Sequence, residues 1–439
     1  MAAEKLFVHV DLGDGEKVLA GQLLVDDKQG RFKYARAYVE DARAFPLDPI
    51  NLPLNGDVHV NPRTRETPGV FGVLIDAGPD EWGRRQLTKT RRPPPVTHVE
   101  FLLAASGEGV GALHFTAEIR DTPKPTPPRP FENLVHLQHI AADIEAGKEV
   151  DRSLEPYFFH GSGLGGARPK TLIEHDGRQW IAKFGRDSDL VDMCKVEFAA
   201  MRMARDAGIE VPDVTLTETD RGPVVLVERF DVDEAGQHHL VSVASLINKF
   251  DITQFDEAAM SYPGILQLGK RIGSRTEGLA EEIFRRLLFN VAIGNTDDHL
   301  RNHAFYKRAG EAEYRLTPGY DIVPNTGLQG SHAIALGAFG NTPSRDNVEA
   351  AAHRMGLDRD RAVAVAREVL AVTGGWRDYL GEAGVVASDV AILERCFAFD
   401  GAIAGFVEAS NAKATARAAR KGGRSSASRG RAAGAADDR

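Results

Sequence analysis

One short polar segment, residues 294–303 (GNTDDHLRNH), combines residue types that can support phosphoryl transfer. Asp297 and Asn302 stand at the spacing D-x-x-x-x-N, and Asp321 follows two strand-like pieces further along the chain. Mg²⁺ prefers oxygen ligands in octahedral geometry, and a carboxylate close to an attacking hydroxyl can orient it and accept its proton. Kinases use this spacing for the base and an asparagine ligand, with a later aspartate as a further metal ligand. The pattern therefore predicts Asp297 as the base and Asn302 and Asp321 as Mg²⁺ ligands.

The same residues have simpler explanations. Asp and Asn in loops commonly close turns or cap helices. His299 and His303 lie four residues apart, but the H-E-x-x-H pattern of a zinc site is absent. His299 is kept as a secondary catalytic candidate. A catalytic role for these residues is favoured because the chain before them carries the other features of a kinase site, in the order in which kinases have them.

The first of these features is a glycine-rich segment, HGSGLGGARPK, which ends at Lys170. A dinucleotide fingerprint would need a helix after the glycines, but TLIEH, an Asp-Gly turn and RQWIAKF follow, which predicts a β-hairpin. A Walker A motif is excluded because Pro169, not Gly, precedes Lys170. A glycine loop leading into a hairpin is how kinases cover ATP phosphates with backbone N–H groups; a flexible surface turn is the alternative. The glycines at G-x-G-x-x-G spacing are Gly161, Gly163 and Gly166.

A strand lysine and a helix glutamate come next. Lys183 lies in the second strand of the hairpin, and Glu197 lies in an apolar row of a helix predicted to end at Gly208. A carboxylate among apolar residues needs a cation, so the two are predicted to pair as in kinases. A solvated lysine and a glutamate on the helix flank are the alternatives. The apolar run 224–227 then predicts a buried strand, and Glu228 begins a candidate hinge for adenine.

The pattern of elements predicts an α+β protein with a β-rich N-terminal subdomain followed by a two-lobed unit. GVLIDAGPDEWGRRQL, residues 72–87, predicts one helix. The tail has no apolar residue larger than Ala, so we expect it to be disordered, with a basic character that could bind phosphates. The predicted parts are the N-terminal subdomain 1–120, a Pro-rich linker 121–130, a small lobe 131–240 with the Gly-rich loop, a helical lobe 241–410 with the catalytic and metal-binding loops, and a disordered basic tail 411–439.

The bulk composition narrows the class of protein. A net charge of -9 argues against a chain that coats nucleic acid by charge alone. Two cysteines, Cys194 and Cys396, are too few for a disulfide framework or a thiolate metal site. No apolar run reaches the roughly 20 residues of a membrane span. These features predict a cytoplasmic protein with no membrane partner.

Taken together, SGLGGARPK, WIAKF, VERFD, GNTDDHLRNH and YRLTPGYDI resemble the HipA-type kinases, the toxin components of bacterial HipBA modules. FGVLIDAGPDEWGRRQL resembles their N-terminal subdomain, so the likeness extends to about residue 405. It implies a two-lobed protein-kinase-like fold, ATP and Mg²⁺ as cofactors, and transfer of phosphate to protein serine. It also implies a helix-turn-helix antitoxin similar to HipB, contact with operator DNA through that antitoxin, and a protein substrate such as an aminoacyl-tRNA synthetase.

The resemblance also implies roles for individual residues. Asp297 is the base, Asn302 and Asp321 hold Mg²⁺, and Glu197 supports Lys183. Glu228 and Phe230 offer backbone groups to adenine. The full set of implied ATP contacts is Gly163, Gly165, Gly166, Ala167, Lys170, Lys183, Glu228 and Phe230.

The loop departs from the family in one position. Members commonly have serine seven residues before the loop lysine, where autophosphorylation disables the loop, but this chain has Gly163 there and Ser162 beside it. Either Ser162 substitutes as the phosphorylated residue, or the chain lacks this self-inactivation.

Two other functions remain open. One is a catalytically weak protein that mainly binds the antitoxin as a corepressor on operator DNA. The other is phosphorylation of a small molecule by the same machinery. The intact set of Lys183, Asp297, Asn302 and Asp321 favours an active protein kinase.

Overall fold

The computed structural model describes residues 3–13, 15–63, 68–107, 109–124, 127–148, 166, 168–247, 260–308, 310–327 and 330–412. The predictions for Ser162, Gly163, Gly165 and Ala167 lie outside these residues, as does the predicted tail from residue 413 onward.

The N-terminal subdomain is built on a five-stranded antiparallel sheet with the order β4-β3-β2-β1-β5. Apolar residues alternate along β2 and β3, which buries one face of the sheet against the helices. The strands are β1 (Glu4–Asp11), β2 (Lys17–Val25), β3 (Gln29–Tyr34), β4 (Val58–Pro62) and β5 (Leu113–Thr116). The helices are α1 (Arg36–Glu40), α2 (Gly72–Asp76), α3 (Glu81–Thr90) and α4 (His98–Ala104).

The single helix predicted over residues 72–87 is wrong, because the structure has two helices there. The chain leaves α2 at Ala77 and passes through Gly78 and Pro79. Asp80 then starts α3 by accepting a hydrogen bond from the Gly83 N–H at 2.9 Å. A side-chain oxygen at this position satisfies one of the free N–H groups of the first helical turn, so the residue that breaks the predicted helix also begins the next one.

The small lobe contains a second five-stranded sheet with the order β6-β7-β8-β10-β9. The predicted hairpin is confirmed: β7 and β8 pair antiparallel across a turn in which Asp176 and Gly177 both have positive φ. The last two residues of the Pro-rich segment form β6, parallel to β7. The elements are β6 (Arg129–Pro130), α5 (Leu134–Glu145), β7 (Lys170–His175), β8 (Arg178–Phe184), α6 (Met193–Asp206), β9 (Val214–Thr219) and β10 (Gly222–Glu228).

The large lobe is mostly helical, as predicted, with a three-stranded sheet in the order β13-β14-β15. The last helix includes residues 411 and 412, so the predicted tail begins at least two residues too early. The strands are β11 (Val232–Asp233), β12 (Gly236–Gln237), β13 (His239–Ser242), β14 (Ala304–Lys307) and β15 (Arg315–Leu316). The helices are α7 (Val243–Leu246), α8 (Tyr262–Arg271), α9 (Leu279–Ala292), α10 (Arg345–Arg354), α11 (Arg359–Thr373), α12 (Trp376–Glu382), α13 (Ala387–Leu393) and α14 (401–412).

The N-terminal subdomain shares its apolar core with the rest of the chain. Its buried residues form one cluster with those of α6, α8 and α9. Trp82 of α3, only 1% exposed, packs instead into the core of the small lobe beside Phe184 and Leu226. None of the described helices is both long and apolar enough to cross a membrane.

Candidate active site

The polar loop that carries Asp297 lies between a buried helix and a buried strand. α9 places apolar side chains against the large-lobe core, and Gly294, with φ of 64°, turns the chain out of the helix. A side chain at Gly294 would collide with the backbone of Cys396, so this turn requires glycine. The loop then returns into β14. Residues 295–303 are thus held at both ends by the core.

Asp298 anchors the loop from inside. Its Oδ2 accepts hydrogen bonds from the Tyr262 hydroxyl, from Asn290 Nδ2 at 2.9 Å, and from His303 Nε2 at 2.8 Å. Burial alone would raise the pKa of Asp298, but His303 and the Tyr262 hydrogen bond hold that pKa below its ordinary value. Asp298 is therefore a structural anion that fixes the loop from inside.

Asp297 is exposed, unlike its neighbour. Partial desolvation of its carboxylate raises the pKa of Asp297. Asp321 and Asp298 raise this pKa further, whereas His299 lowers it. A carboxylate with a raised pKa is a better proton acceptor than an ordinary aspartate.

Lys183 connects two carboxylates from different elements. Its Nζ lies 2.5 Å from Glu197 Oε1 on α6 and 3.1 Å from Asp321 Oδ1. Burial lowers the pKa of Lys183, but the two carboxylates outweigh it and hold the pKa above its usual value. Burial likewise raises the pKa of Asp321, but Lys183 and Lys170 hold it below its usual value. The predicted Lys183–Glu197 contact is present, and Lys183 and Asp321 are both charged at neutral pH.

Asn302 is the second residue predicted to hold Mg²⁺. It is 4% exposed, and its Oδ1 is buried without a hydrogen-bond partner among the described residues. An unpaired buried carbonyl oxygen is costly unless a ligand completes it. Asp321 supplies an ionised carboxylate from a strained backbone with φ of 57°. A neutral amide oxygen and a carboxylate are the hard oxygen donors that Mg²⁺ takes, so these residues fit the ion.

A pocket lies between the two lobes at the end of β10. The Glu228 N–H donates to the Asp213 carbonyl at 2.9 Å, so this donor is already used. Among the described residues, no backbone hydrogen bond outside the regular strands uses the Glu228 carbonyl or the Phe230 N–H, the two groups predicted to meet an adenine edge. Phe230 stacks on Tyr320, with ring centroids 5.7 Å apart. The pocket is lined by Val110, Lys170, Ile181, Lys183, Val227, Glu228, Arg229, Phe230, Asp231, Tyr320 and Asp321.

The N-terminal subdomain contributes to this site in a way that the sequence analysis missed. Lys170 is buried, and its Nζ lies 2.7 Å from Asp80 Oδ2, at the start of α3. Trp82 Nε1 donates to the Lys170 carbonyl at 3.1 Å. Gly166, with φ of 124°, passes so close to the Lys170 ammonium that a side chain there would collide with it. No spacing rule in the sequence joins residues 80 and 170.

The structure therefore brings most of the predicted residues together. Lys183 contacts Asp321 directly, and Asp321 influences the pKa of Asp297 in the adjoining loop. The pocket also includes Lys170, Glu228 and Phe230. His299 lies in the same loop and acts on the pKa of both aspartates.

Comparison with known proteins identifies the family of this chain. The HipA-like C-terminal domain model matches residues 162–376, and the HipA N-terminal domain model matches residues 15–116. The serine/threonine-protein kinase toxin HipA of Shewanella oneidensis is 23% identical over 73% of this chain and 76% of its own length. Y4dM of Sinorhizobium fredii, whose name describes a candidate kinase, is 27% identical over 79% of this chain and 85% of its own length.

A solved structure shows the same fold. A chain from the complex of HipA, HipB and operator DNA of Shewanella oneidensis aligns with a TM-score of 0.65 at 19% identity. The alignment covers 92% of this chain and 99% of that chain. Both domain models match in the expected order, and the α+β, kinase-like fold extends over nearly the whole molecule. The chain belongs to the HipA family of kinase toxins.

Proposed function

We propose that this protein is a Mg-ATP-dependent serine/threonine kinase and the toxin of a HipBA-type module. The observation that carries the proposal is the position of Lys183 between Glu197 and Asp321, beside a loop that holds Asp297 and the unpaired Oδ1 of Asn302. Kinases require a phosphate-binding lysine fixed by a helix glutamate, two oxygen ligands for the metal, and a base near the acceptor.

Each residue then has a defined task. The Glu228 carbonyl and the Phe230 N–H bind adenine, and Lys183 and Lys170 orient the phosphates. Asn302 and Asp321 would hold Mg²⁺, which neutralises phosphate charge when bound. Asp297 orients the acceptor hydroxyl and takes its proton as the oxygen forms a bond to the γ-phosphorus and the bond to the β-phosphate oxygen breaks. ADP leaves, and the acceptor becomes a phosphate ester.

The proposed biological partners follow from the family. We propose a cytosolic protein substrate, with aminoacyl-tRNA synthetases as the first candidates, because HipA-type toxins act on them. We also propose a HipB-like helix-turn-helix antitoxin, which would bring the toxin to operator DNA. The similar solved structure is titled as a HipA, HipB and operator DNA complex, which supports this assembly.

Transfer of labelled γ-phosphate from Mg-ATP tests the proposed activity. Wild-type protein is expected to label a protein in an ATP-depleted lysate, and Asp297→Asn is expected to lower the rate by about 100-fold or more, in line with the loss of a general base. Asp346→Asn, an exposed aspartate on α10, is the matched control. If the wild type binds ATP but labels nothing, a corepressor without kinase activity is the better description.

Autophosphorylation has its own test. We propose Ser162 as the modified residue, since it stands beside the position at which family members carry serine. Peptide mapping after incubation with Mg-ATP should find phosphate on Ser162 in the wild type and none in Asp297→Asn. Phosphate confined to residues outside the glycine loop would contradict the assignment.

A further inference from the structure

A second cleft, of about 450 Å³, is lined by residues of the catalytic loop and of the N-terminal subdomain. One wall is formed by His299, Leu300 and Arg301, which follow Asp297 in the catalytic loop. The opposite wall comes from the N-terminal subdomain and includes Arg84 and His98. The Lys170–Asp80 ion pair separates this cleft from the nucleotide pocket, because Asp80 lines the cleft and Lys170 lines the pocket.

The cleft is lined by two arginines, Arg84 and Arg301, and by two carboxylates. Its lining carboxylates already have cations: Asp80 pairs with Lys170, and Glu81 pairs with Arg85. The two arginines have no such direct partner, although Asp80 acts on the charge of Arg84, and Arg301 on that of Asp76, from beyond ion-pair distance. In the part of the chain that the structure describes, neither guanidinium forms an ion pair, and Arg301 forms no side-chain hydrogen bond at all.

Arg84 is held in position by contacts that include no anion. Its Nε donates to the Pro79 carbonyl at 3.3 Å, and its guanidinium lies 4.8 Å from the centre of the Phe101 ring. These contacts orient the side chain, while its two Nη groups have no acceptor among the described residues. A pre-positioned guanidinium fork matches a carboxylate or a phosphate, and an anion would also relieve repulsion between the two arginines.

The electrostatic environment of His98 supports this interpretation. Burial lowers the pKa of His98, and Arg84 and Arg301 lower it further, to about 4. Arg301 similarly lowers the pKa of Arg84, in addition to the effect of burial. His98 is therefore a neutral donor or acceptor beside two cations at neutral pH.

We infer that this cleft is the acceptor subsite, and that Arg84 and Arg301 bind an anionic group next to the phosphorylated serine or threonine of a protein substrate. This inference rests on the proposed kinase function, because it identifies the bound segment as the phosphate acceptor. The anion is a carboxylate of Asp or Glu, or a phosphate on a neighbouring residue. Arg301 follows Asp297 by four residues in the same loop, so the anion would bind beside the loop that carries the proposed base.

Direct binding tests the subsite separately from catalysis. The full chain, saturated with Mg²⁺ and a non-hydrolysable ATP analogue, is titrated with serine peptides that carry Asp, phosphoserine, Ala or Lys beside the serine. Asp or phosphoserine peptides are expected to bind best, and Arg84→Gln or Arg301→Gln is expected to weaken their binding about tenfold, the loss typical of a charge-assisted hydrogen bond. Arg36→Gln, an exposed arginine that pairs with Glu40 and does not line the cleft, is the control and should bind like the wild type.

The outcomes separate the two proposals. A preference for the Asp or for the phosphoserine peptide identifies the source of the anion. Arg301→Lys should bind these peptides better than Arg301→Gln does, because it keeps the positive charge. If acidic peptides bind in this arginine-dependent way but receive no phosphate from Mg-ATP, the subsite stands and the kinase proposal fails. Equal binding of Ala, Lys and Asp peptides, unchanged binding in both Gln variants, or much tighter arginine-dependent binding of an RNA oligonucleotide would overturn the inference.

Discussion

Three aspartates of the candidate active site have different electrostatic environments, and these differences assign different tasks to chemically identical side chains. Asp298 is buried and holds three hydrogen bonds, so it fixes the loop. Asp321 is kept ionised by Lys183 and suits a cation. Asp297 is exposed, and its pKa is raised, so it can take up a proton. Environments that move neighbouring pKa values apart are the usual physical basis for dividing acid, base and ligand roles.

At the residue scale, the pH dependence of phosphate transfer should report Asp297. The base must be ionised, so the rate falls as the pH drops through its pKa, and the raised pKa moves this loss above the ordinary range of an aspartate. His299 lowers the pKa of Asp297, so His299→Gln should move the acid limb of the kcat profile to higher pH. His139→Gln, an exposed histidine near Asp220, is the control. A limb that stays in place or moves to lower pH in His299→Gln would argue against Asp297 as the base.

A second residue-scale prediction concerns the Lys183–Glu197 pair. Lys183→Met leaves Glu197, 4% exposed, without its cation, and breaking a buried pair costs about 3–5 kcal/mol of unfolding free energy. Adding Glu197→Gln removes the buried charge and should recover much of that stability. It should not recover phosphate transfer, because the phosphate-binding lysine is still missing. Urea unfolding and labelled-phosphate transfer on the wild type, Lys183→Met and the double variant measure both effects. Recovery of activity together with stability would mean that Lys183 acts only structurally.

At the scale of elements, the helix α9 and the helix α8 determine where the catalytic loop lies. Tyr262 on α8 and Asn290 on α9 both donate to Asp298, so two core helices hold one loop residue. Asn295 Nδ2 in turn donates to Asn290 Oδ1 at 3.0 Å. These buried polar groups are connected to one another through Asp298 and Asn290, which makes the position of the loop sensitive to loss of any one donor.

Removal of one donor should therefore affect both stability and catalysis. Tyr262→Phe leaves Asp298 without its hydroxyl donor and should lower the free energy of unfolding by about 1–3 kcal/mol. It should also lower kcat with little change in ATP affinity, because the loop lies outside the hinge. Tyr314→Phe is a matched control, since its hydroxyl donates to the Pro46 carbonyl away from the loop. An equal loss of kcat in both variants would show a general effect of destabilisation.

A helix, strand or turn could be predicted from the sequence where the residues of that segment alone form the pattern that specifies it. The β7–β8 hairpin follows from the Asp-Gly turn, and the burial of β10 follows from four successive apolar residues. The break between α2 and α3 also had a local signal in Gly78-Pro79, which a single-helix interpretation overlooked. The Asp298 network was not predictable, because its partners come from positions 262, 290 and 303 and meet only through helix packing.

At the scale of the whole molecule, the N-terminal subdomain contacts both lobes of the kinase-like unit and the segment beside the hinge. Asp76 of α2 accepts hydrogen bonds from the Ser242 and Ser245 hydroxyls in the large lobe. The Gly111 N–H donates to Asp231 beside the hinge at 2.7 Å. Asp80 binds Lys170 in the small lobe. A subdomain that contacts both lobes and the hinge can influence how the lobes close on ATP, although it supplies no residue to the chemical step.

Substitution of Asp80 tests whether the N-terminal subdomain influences ATP binding through Lys170. Asp80→Asn removes the charge but keeps a good helix cap for α3. The buried Lys170 then lacks this counter-ion, and the ATP-free protein should lose about 3 kcal/mol of unfolding free energy. Bound ATP phosphates can replace the missing anion, so ATP should bind more tightly and should raise the melting temperature more in Asp80→Asn than in the wild type.

The exposed neighbour Glu81 supplies the control, because Glu81→Gln changes charge on the same helix without touching Lys170. Differential scanning fluorimetry with and without Mg-ATP, together with titration of ATP, separates two roles for Asp80. A larger ATP-induced shift means that Asp80 competes with phosphate for Lys170 and so restrains nucleotide binding from the N-terminal subdomain. Weaker ATP binding with unchanged stability of the ATP-free protein would instead mean that Asp80 holds Lys170 in the position that phosphate requires.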